Sequence, residues 1–245
     1  VIEMKLVEGV YLVGSGRNGI FLTDELDCNC YLVEFEGKLA LFDCGIGIRP
    51  ELLEAEIQRD GFRMEDISYL FLTHCHGDHI GAAAYLQREY GIKVVVPRTE
   101  AEAFARGDEA AMGLDVARDA GFYPPDYHLA ACRGDETAVP GIWEKDGIHM
   151  ELFDASGHSI GGICYYGTVK GRRFFIGGDL VMMGGKISFQ LIPGADIHAY
   201  ARCVREVMDL KVDLFLPGHG LFQLQDGGMQ LRMAGEAFEH LYIPA

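Results

Sequence analysis

No stretch of this 245-residue chain carries the roughly 20 consecutive apolar residues of a bilayer-spanning helix; its longest apolar runs are strand-sized. A membrane-spanning segment is therefore not expected. The N-terminus also lacks the basic, apolar and small-residue order of a secretory leader, so an intracellular, cytoplasmic protein is expected, with Met4 as an alternative start after Val1, Ile2 and Glu3. Basic residues are scarce: 21 Lys and Arg stand against 37 Asp and Glu, a formal net charge of −16. Such a surface repels polyanions, and no basic patch for a phosphate backbone is present, so nucleic acid is not an expected partner. Glycine-rich phosphate cradles are missing too, because Gly14-Ser15-Gly16 is too short and isolated to be one. No linker, low-complexity tract or repeat divides the chain, and 49% hydrophobic residues is ample for a core, so residues 1–245 read as one domain.

A disulfide framework is the last absence. Cys28, Cys30, Cys44, Cys75, Cys132, Cys164 and Cys203 form an odd set in mostly apolar surroundings, which fits reduced buried thiols. Cys28-Asn29-Cys30 is too tight for a usual zinc pair.

What the chain does have is Thr73-His74-Cys75-His76-Gly77-Asp78-His79, three imidazoles and a carboxylate in six consecutive residues. The run follows the apolar, β-favouring segment Ile67–Leu72, so it hangs at a strand's end. If the backbone stays extended, His74 and His76 point to one side and Cys75 to the other, and two imidazoles can share one ion. Gly77 permits a change of direction, after which Asp78 and His79 open a helix through Tyr90 and face an adjacent position.

Further strands are expected at Leu6–Val13, Asn29–Phe35, Lys38–Phe42 and Ile92–Val96, with a tight turn at Gly37 and a helix from Pro50 to Arg59. Residues 98–125 are alanine-rich and amphipathic, and read as a helical insertion. Strands return at Tyr127–Ala131, Ile148–Phe153, Gly162–Thr168, Arg173–Ile176 and Asp213–Leu216, with helices near 196–210 and 228–240. Strand groups in both halves, each with helices, suggest two sheets packed face to face under outer helices.

Four polar residues recur at the ends of these strands beside glycine or small residues: Asp43, His158, Asp179 and His219. Each alone is an ordinary loop residue; with the histidine cluster they form an ordered set. The order His-x-His-x-Asp-His, Gly-His-Ser, Gly-Asp, Gly-His-Gly, preceded by the Asp43 motif, resembles the metallo-β-lactamase-fold hydrolase superfamily over almost the whole chain. The resemblance implies an α/β (α+β) fold, a four-layer αββα sandwich of two mixed β-sheets flanked by helices. It assigns His74, His76 and His158 to one metal, Asp78, His79 and His219 to a second, and Asp179 to a bridge, with Asp43 orienting a ligand histidine.

Two divalent ions about 3.5 to 4 Å apart would acidify a shared water to hydroxide and polarise the bond it attacks, with Asp78 or Asp179 handling the proton. Nitrogen and oxygen ligands suit zinc, and suit iron or manganese nearly as well. Asp179 and His76 depart from the commonest zinc β-lactamases and from flavodiiron reductases. Glyoxalase II-like thioesterases share the ligands but add a helical glutathione-binding region after the last histidine, and with only a short remainder after His219 glutathione recognition is not expected. Lactonase-like members fit better, and hydrolysis of an ester, lactone or thioester is the expected activity. A mononuclear iron persulfide dioxygenase and a low-turnover ligand-binding or sensor protein retaining the site are the alternatives.

Phe104, Met112, Leu114, Phe122, Tyr123 and Tyr127 either form an apolar lid over a partly apolar small-molecule substrate or only pack the insertion down. Arg17-Asn18-Gly19-Ile20-Phe21 is expected to border the pocket. A homo-oligomer is left open. His128, His149, His198 and His240 lack the strand-end setting and are not expected in the site.

Overall fold

A computed structural model describes residues 4–244. Val1, Ile2 and Glu3, ahead of the alternative start at Met4, lie outside the described residues.

The chain runs β1 (Lys5–Val7), β2 (Val10–Gly14), β3 (Cys30–Phe35), β4 (Lys38–Phe42), α1 (Pro50–Arg59), β5 (Ile67–Phe71), α2 (Gly77–Ile80), α3 (Ala83–Tyr90) and β6 (Lys93–Pro97). Then come α4 (Ala101–Arg106), α5 (Leu114–Asp119), β7 (Glu136–Ala138), β8 (Gly141–Lys145), β9 (Ile148–Asp154), β10 (Ile163–Val169), β11 (Arg172–Gly178), α6 (Ile197–Val207), β12 (Leu214–Pro217) and α7 (Gly228–Glu239). Seven strands form one sheet in the order β1 to β7, antiparallel up to β4 and parallel from β4 onward. The other five form a second sheet, β12-β11-β10-β9-β8, parallel only between β11 and β12.

Side-chain alternation along these strands sorts the apolar residues into three layers. On β4, Ala40 and Phe42 face the second sheet, while Leu39 and Leu41 face outward. The space between the sheets is filled by Phe42, Phe71, Tyr165, Phe174 and their neighbours. Phe42 stacks on Phe71 with centroids 5.2 Å apart, and Tyr165 meets both edge-on at 5.3 and 5.4 Å. Outside the first sheet, Leu53 and Ile57 of α1 and Leu86 of α3 cover Leu41 and Leu70. Outside the second, Tyr200, Val204 and Val207 of α6 and Leu231 and Phe238 of α7 cover Phe175 and Phe215. The result is the αββα sandwich expected from the sequence. Among the described residues no helix is long and apolar enough to cross a membrane.

Several local expectations need correction. The strand expected at Leu6–Val13 is a hairpin, β1 and β2, broken at Gly9, whose φ of +81° reverses the chain. The single helix expected after Asp78 is two, α2 and α3, interrupted at Gly81. Tyr127–Ala131 is not a strand; its groups bond to the insertion and to the loop after β4 instead, Leu129 N to Glu109 Oε1 at 3.0 Å and Tyr127 Oη to Ile46 O at 2.9 Å. The edge strands β7 and β8 were not anticipated, since most of their residues are exposed or half-buried and show no apolar run.

The parallel pair β11–β12 is clamped at its start by Arg173, which donates from Nε and Nη2 to the two carboxylate oxygens of Asp213 at 2.9 and 2.8 Å. These bonds, led by the guanidinium, hold the Asp213 carboxyl down at about 2 instead of 3.8. Because the folded value lies below the unfolded one, the stabilisation is complete above about pH 4 and is lost as pH falls through 2. The pair is partly exposed, so the effect is modest. The difference in melting temperature between wild type and Asp213→Asn is expected to shrink from pH 5 to pH 2; a constant difference would contradict the clamp.

Candidate metal centre

Each polar candidate sits where a strand stops. Asp43 follows β4, His74 to His79 follow β5, His158 follows β9, Asp179 follows β11 and His219 follows β12. The carboxyl ends of these five strands, β9 paired antiparallel and the others each in a parallel pair, thus converge on one rim of the sandwich. His74, His76, Asp78 and His79 come from the seven-stranded sheet; His158, Asp179 and His219 come from the five-stranded one.

All seven are brought together. His76 Nδ1 lies 3.0 Å from both His74 Nε2 and His158 Nε2. Asp78 Oδ2 lies 3.1 Å from His219 Nε2 and 3.8 Å from His79 Nε2. Asp179 stands between these groups, with Oδ2 3.3 Å from His158 Nε2 and 3.6 Å from His219 Nε2, and Oδ1 3.4 Å from His79 Nε2. Cys75 turns the other way into the outer core, its N–H donating to Glu100 Oε2 at 2.7 Å.

The surrounding chain fixes which ring nitrogens carry protons. The Thr73 hydroxyl gives its one proton to Asp43 Oδ2 at 2.8 Å, so His74 Nδ1, 3.1 Å from that hydroxyl, must donate to it. His158 Nδ1 donates to Ser188 O at 2.5 Å, and His79 Nδ1 to Asp43 Oδ2 at 2.8 Å. In the neutral form all three rings therefore aim an Nε2 lone pair inward. Burial pushes His76 down to about 3 and also lowers His74 and His158, which keeps that trio uncharged and able to ligate. In the other group burial is overcome: the Cys28 thiol and then the carboxylates of Asp179 and Asp78 raise His79, and the carboxylates of Asp179 and Asp78 raise His219. Burial likewise fails to raise Asp78 and Asp179, which the facing histidines hold well below the carboxylate range. Lone pairs crowded together beside two carboxylates call for a cation. His79 Nε2 and Asp179 Oδ1, both buried without a hydrogen-bond partner, are the atoms such a cation would satisfy. The donor set fits divalent metal ions, and its atoms fall into triads within 4.8 Å: His74, His76 and His158; His74, His79 and Asp179; Asp78, His79 and His219.

Asp43 does not belong to that inner set. It accepts from Thr73 N at 2.8 Å, from the Thr73 hydroxyl and from His79, and so braces two of the rings. Cys28 Sγ groups with Asp43 and His79, yet that carboxylate is already engaged and the thiol sits 3.8 Å from Cys30 Sγ in a fully buried pair. Gly218 shows why the loop before His219 is stripped of side chains: a Cβ there would lie 2.4 Å from Asp179 Oδ1 and 2.8 Å from His79 Cε1. His128, His149, His198 and His240 are exposed elsewhere.

Other supports went unread in the sequence. Asn29 Nδ2 donates to Pro217 O and Gly220 O at 3.0 and 3.1 Å, holding the His219 loop, and the Tyr200 hydroxyl donates to Asp179 O. Neither contact has a local signal, because the partners are far apart in the chain. Above the polar atoms lies a cavity bordered by Arg17 and Asn18 on one side and by Met112, Leu114, Phe122 and Tyr123 of the insertion on the other. Phe104 is not part of it; the ring is wholly buried in the outer core.

The family model described as "Metallo-beta-lactamase superfamily" matches residues 23–219. This chain belongs to that superfamily. A probable metallo-hydrolase of Bacillus subtilis, YqgX, is 30% identical to this superfamily member over 156 residues, 62% of this chain and 67% of the relative. A hydroxyacylglutathione hydrolase of Pseudomonas aeruginosa is 28% identical over 136 residues, 56% of this chain but only 42% of that protein. Among solved structures, a metallo-β-lactamase of Cronobacter sakazakii with a HARLDQ motif superposes with a TM-score of 0.72 at 20% identity, covering 96% of this chain and 95% of that one. BJP-1, a subclass B3 metallo-β-lactamase of Bradyrhizobium japonicum, gives 0.72 at 18% identity, covering 98% and 93%. At these identities the structural likeness concerns the superfamily's shared fold. Together the superfamily and its metallo-hydrolase relatives make this protein a metal-dependent hydrolase.

Proposed function

We propose that this hydrolase holds two divalent ions and cleaves an ester, lactone or thioester. His74, His76 and His158 would hold one ion, and Asp78, His79 and His219 the other. The observation that carries the reading is the position of Asp179, whose carboxylate lies within 3.6 Å of nitrogen from both groups and can serve both ions. Such ions, when bound, supply an acidified water and polarise the bond under attack. Zinc suits this nitrogen and oxygen donor set, and iron or manganese would also be accepted.

The chain's own part is orientation and enclosure. Asp43 and Thr73 fix the tautomers of His79 and His74, and Ser188 O fixes that of His158, so no ring must rotate to ligate. Asp78 and Asp179, held ionised, are the groups able to take up a proton as the water is consumed and return it to the leaving atom. Met112, Leu114 and Phe122 border the cavity with apolar surface, which favours a small substrate with a lipophilic part. The hydroxyacylglutathione hydrolase relative supports the thioester arm of the proposal. That Asp179, and not a cysteine, joins His74 and His79 in a triad supports placing the protein apart from zinc β-lactamases that use a cysteine there. Seven free, buried thiols fit work in a reducing compartment such as the cytoplasm.

Metal analysis of purified protein is expected to find two ions per chain, and a strong chelator to abolish hydrolysis across a panel of lactones, aryl esters and thioesters, with zinc restoring it. One iron per chain together with oxygen uptake on a persulfide would replace the proposal with dioxygenase chemistry.

A further inference from the structure

The insertion does more than border the cavity. Tyr123 Oη donates a hydrogen bond of 2.7 Å to Oδ1 of Asp78, the carboxylate whose other oxygen faces His219. Leu114 and the rings of Tyr123 and Tyr127 lie against Gly77, the residue before it, and Tyr127 Oη binds Ile46 O at 2.9 Å. Residues 114–127 are therefore seated directly on α2, the short helix that presents Asp78 and His79.

We infer that Tyr123 is a positioning residue for the second metal position, so that docking of the insertion sets how tightly that position binds its ion. A phenol beside a carboxylate can only donate, and donation to Oδ1 fixes the carboxylate plane and leaves Oδ2 turned inward. Asp78 is the one inner carboxylate braced by a side chain from the insertion; Asp179 is held through its backbone carbonyl by Tyr200, and the first trio is braced by Thr73 and Ser188. Only the second position is therefore tied to residues 114–127; Glu100, at the other end of the insertion, holds the Cys75 backbone between the two histidines of the first trio. Because coupling is reciprocal, an ion there favours the docked insertion by the same factor that docking favours the ion. The inference rests on the reading that Asp78 is a metal ligand.

The test uses the full, metal-stripped chain titrated with cobalt(II) against a competing chelator, following visible absorption. Tyr123→Phe, which keeps the ring, is expected to weaken the second binding step about tenfold and change its absorption band, as loss of a ligand's hydrogen-bond partner does, while leaving the first step unchanged. Tyr127→Phe loosens the same segment without removing a bond to Asp78, so it should weaken the second step clearly less than Tyr123→Phe and leave the first unchanged. Backbone amides of residues 114–127 should exchange more slowly when the second step fills in wild type, and lose most of that slowing in Tyr123→Phe. An unchanged second step in Tyr123→Phe, or an equal loss in Tyr127→Phe, would overturn the inference while leaving the dinuclear proposal standing. A wild-type chain that takes only one cobalt would remove both.

Discussion

Asp179→Ala is expected to lower kcat/KM by on the order of 1,000-fold, equivalent to about 4 kcal/mol in the barrier, and to reduce the metal content from two ions to about one. The reason lies in what its two oxygens touch. Oδ2 is within 3.6 Å of His158 and His219, and Oδ1 lies 3.4 Å from His79 with no other partner. Alanine takes away the shared anion and leaves the second group with one carboxylate, Asp78, for a doubly charged ion. His74 and His158 keep their tautomer-setting bonds and His76 stays beside them, so the first ion should remain. Mass spectrometry under native conditions would count the ions beside the kinetic assay. A variant that keeps two ions and full activity would show that the carboxylate is not shared.

Gly81→Ala is expected to be strongly destabilising, although it adds only one methyl group. The backbone at Gly81 has ordinary helical angles, φ −58° and ψ −36°, so alanine meets no torsional objection. Space forbids it: a Cβ there would sit 1.8 Å from Ile46 O, 2.2 Å from its carbonyl carbon and 2.8 Å from Tyr127 Oη. Gly47 is packed against it reciprocally, with a Cβ position 2.4 Å from the Gly81 carbonyl carbon. Neither backbone can swing aside as a side chain would. Separating them also breaks Gly81 N to Gly45 O and Cys44 N to His79 O, each 2.8 Å, and displaces His79. A loss of about 3 kcal/mol is expected, the upper end of overpacking costs, with the melting temperature down by roughly 10 °C. Urea unfolding would measure it, and a wild-type midpoint would mean that this pair of glycines has slack.

The same glycine marks where the sequence stops being legible. The apolar stripe from Ile80 to Leu86 reads as one helix with Asp78 at its start, and nothing nearby announces that Ile46, far back in the chain, must touch it. Strands buried on both faces were readable, Lys38–Phe42 to the residue, because their length and β-branched or aromatic content had no rival interpretation. The edge strands β7 and β8 were not, since an exposed pair such as Ile142 and Glu144 carries no burial pattern. At the centre, the residue types with lone pairs could be picked out by their glycine-flanked strand ends. What could not be read was the bracing: the direction of the Thr73 proton, the carbonyl of Ser188, the amide of Asn29 and the phenol of Tyr123 are each local only in space.

The division of the inner residues between the two sheets has one more consequence. Neither sheet by itself presents a complete trio: His74 and His76 await His158, and Asp78 and His79 await His219. A nascent or unfolded chain thus offers only the partial ligand set of His74 to His79, and an ion captured by the folded protein would act as a rivet through the seam between the halves. Heat resistance should then climb with free zinc in the medium, since whatever binds only the assembled form draws the equilibrium toward it.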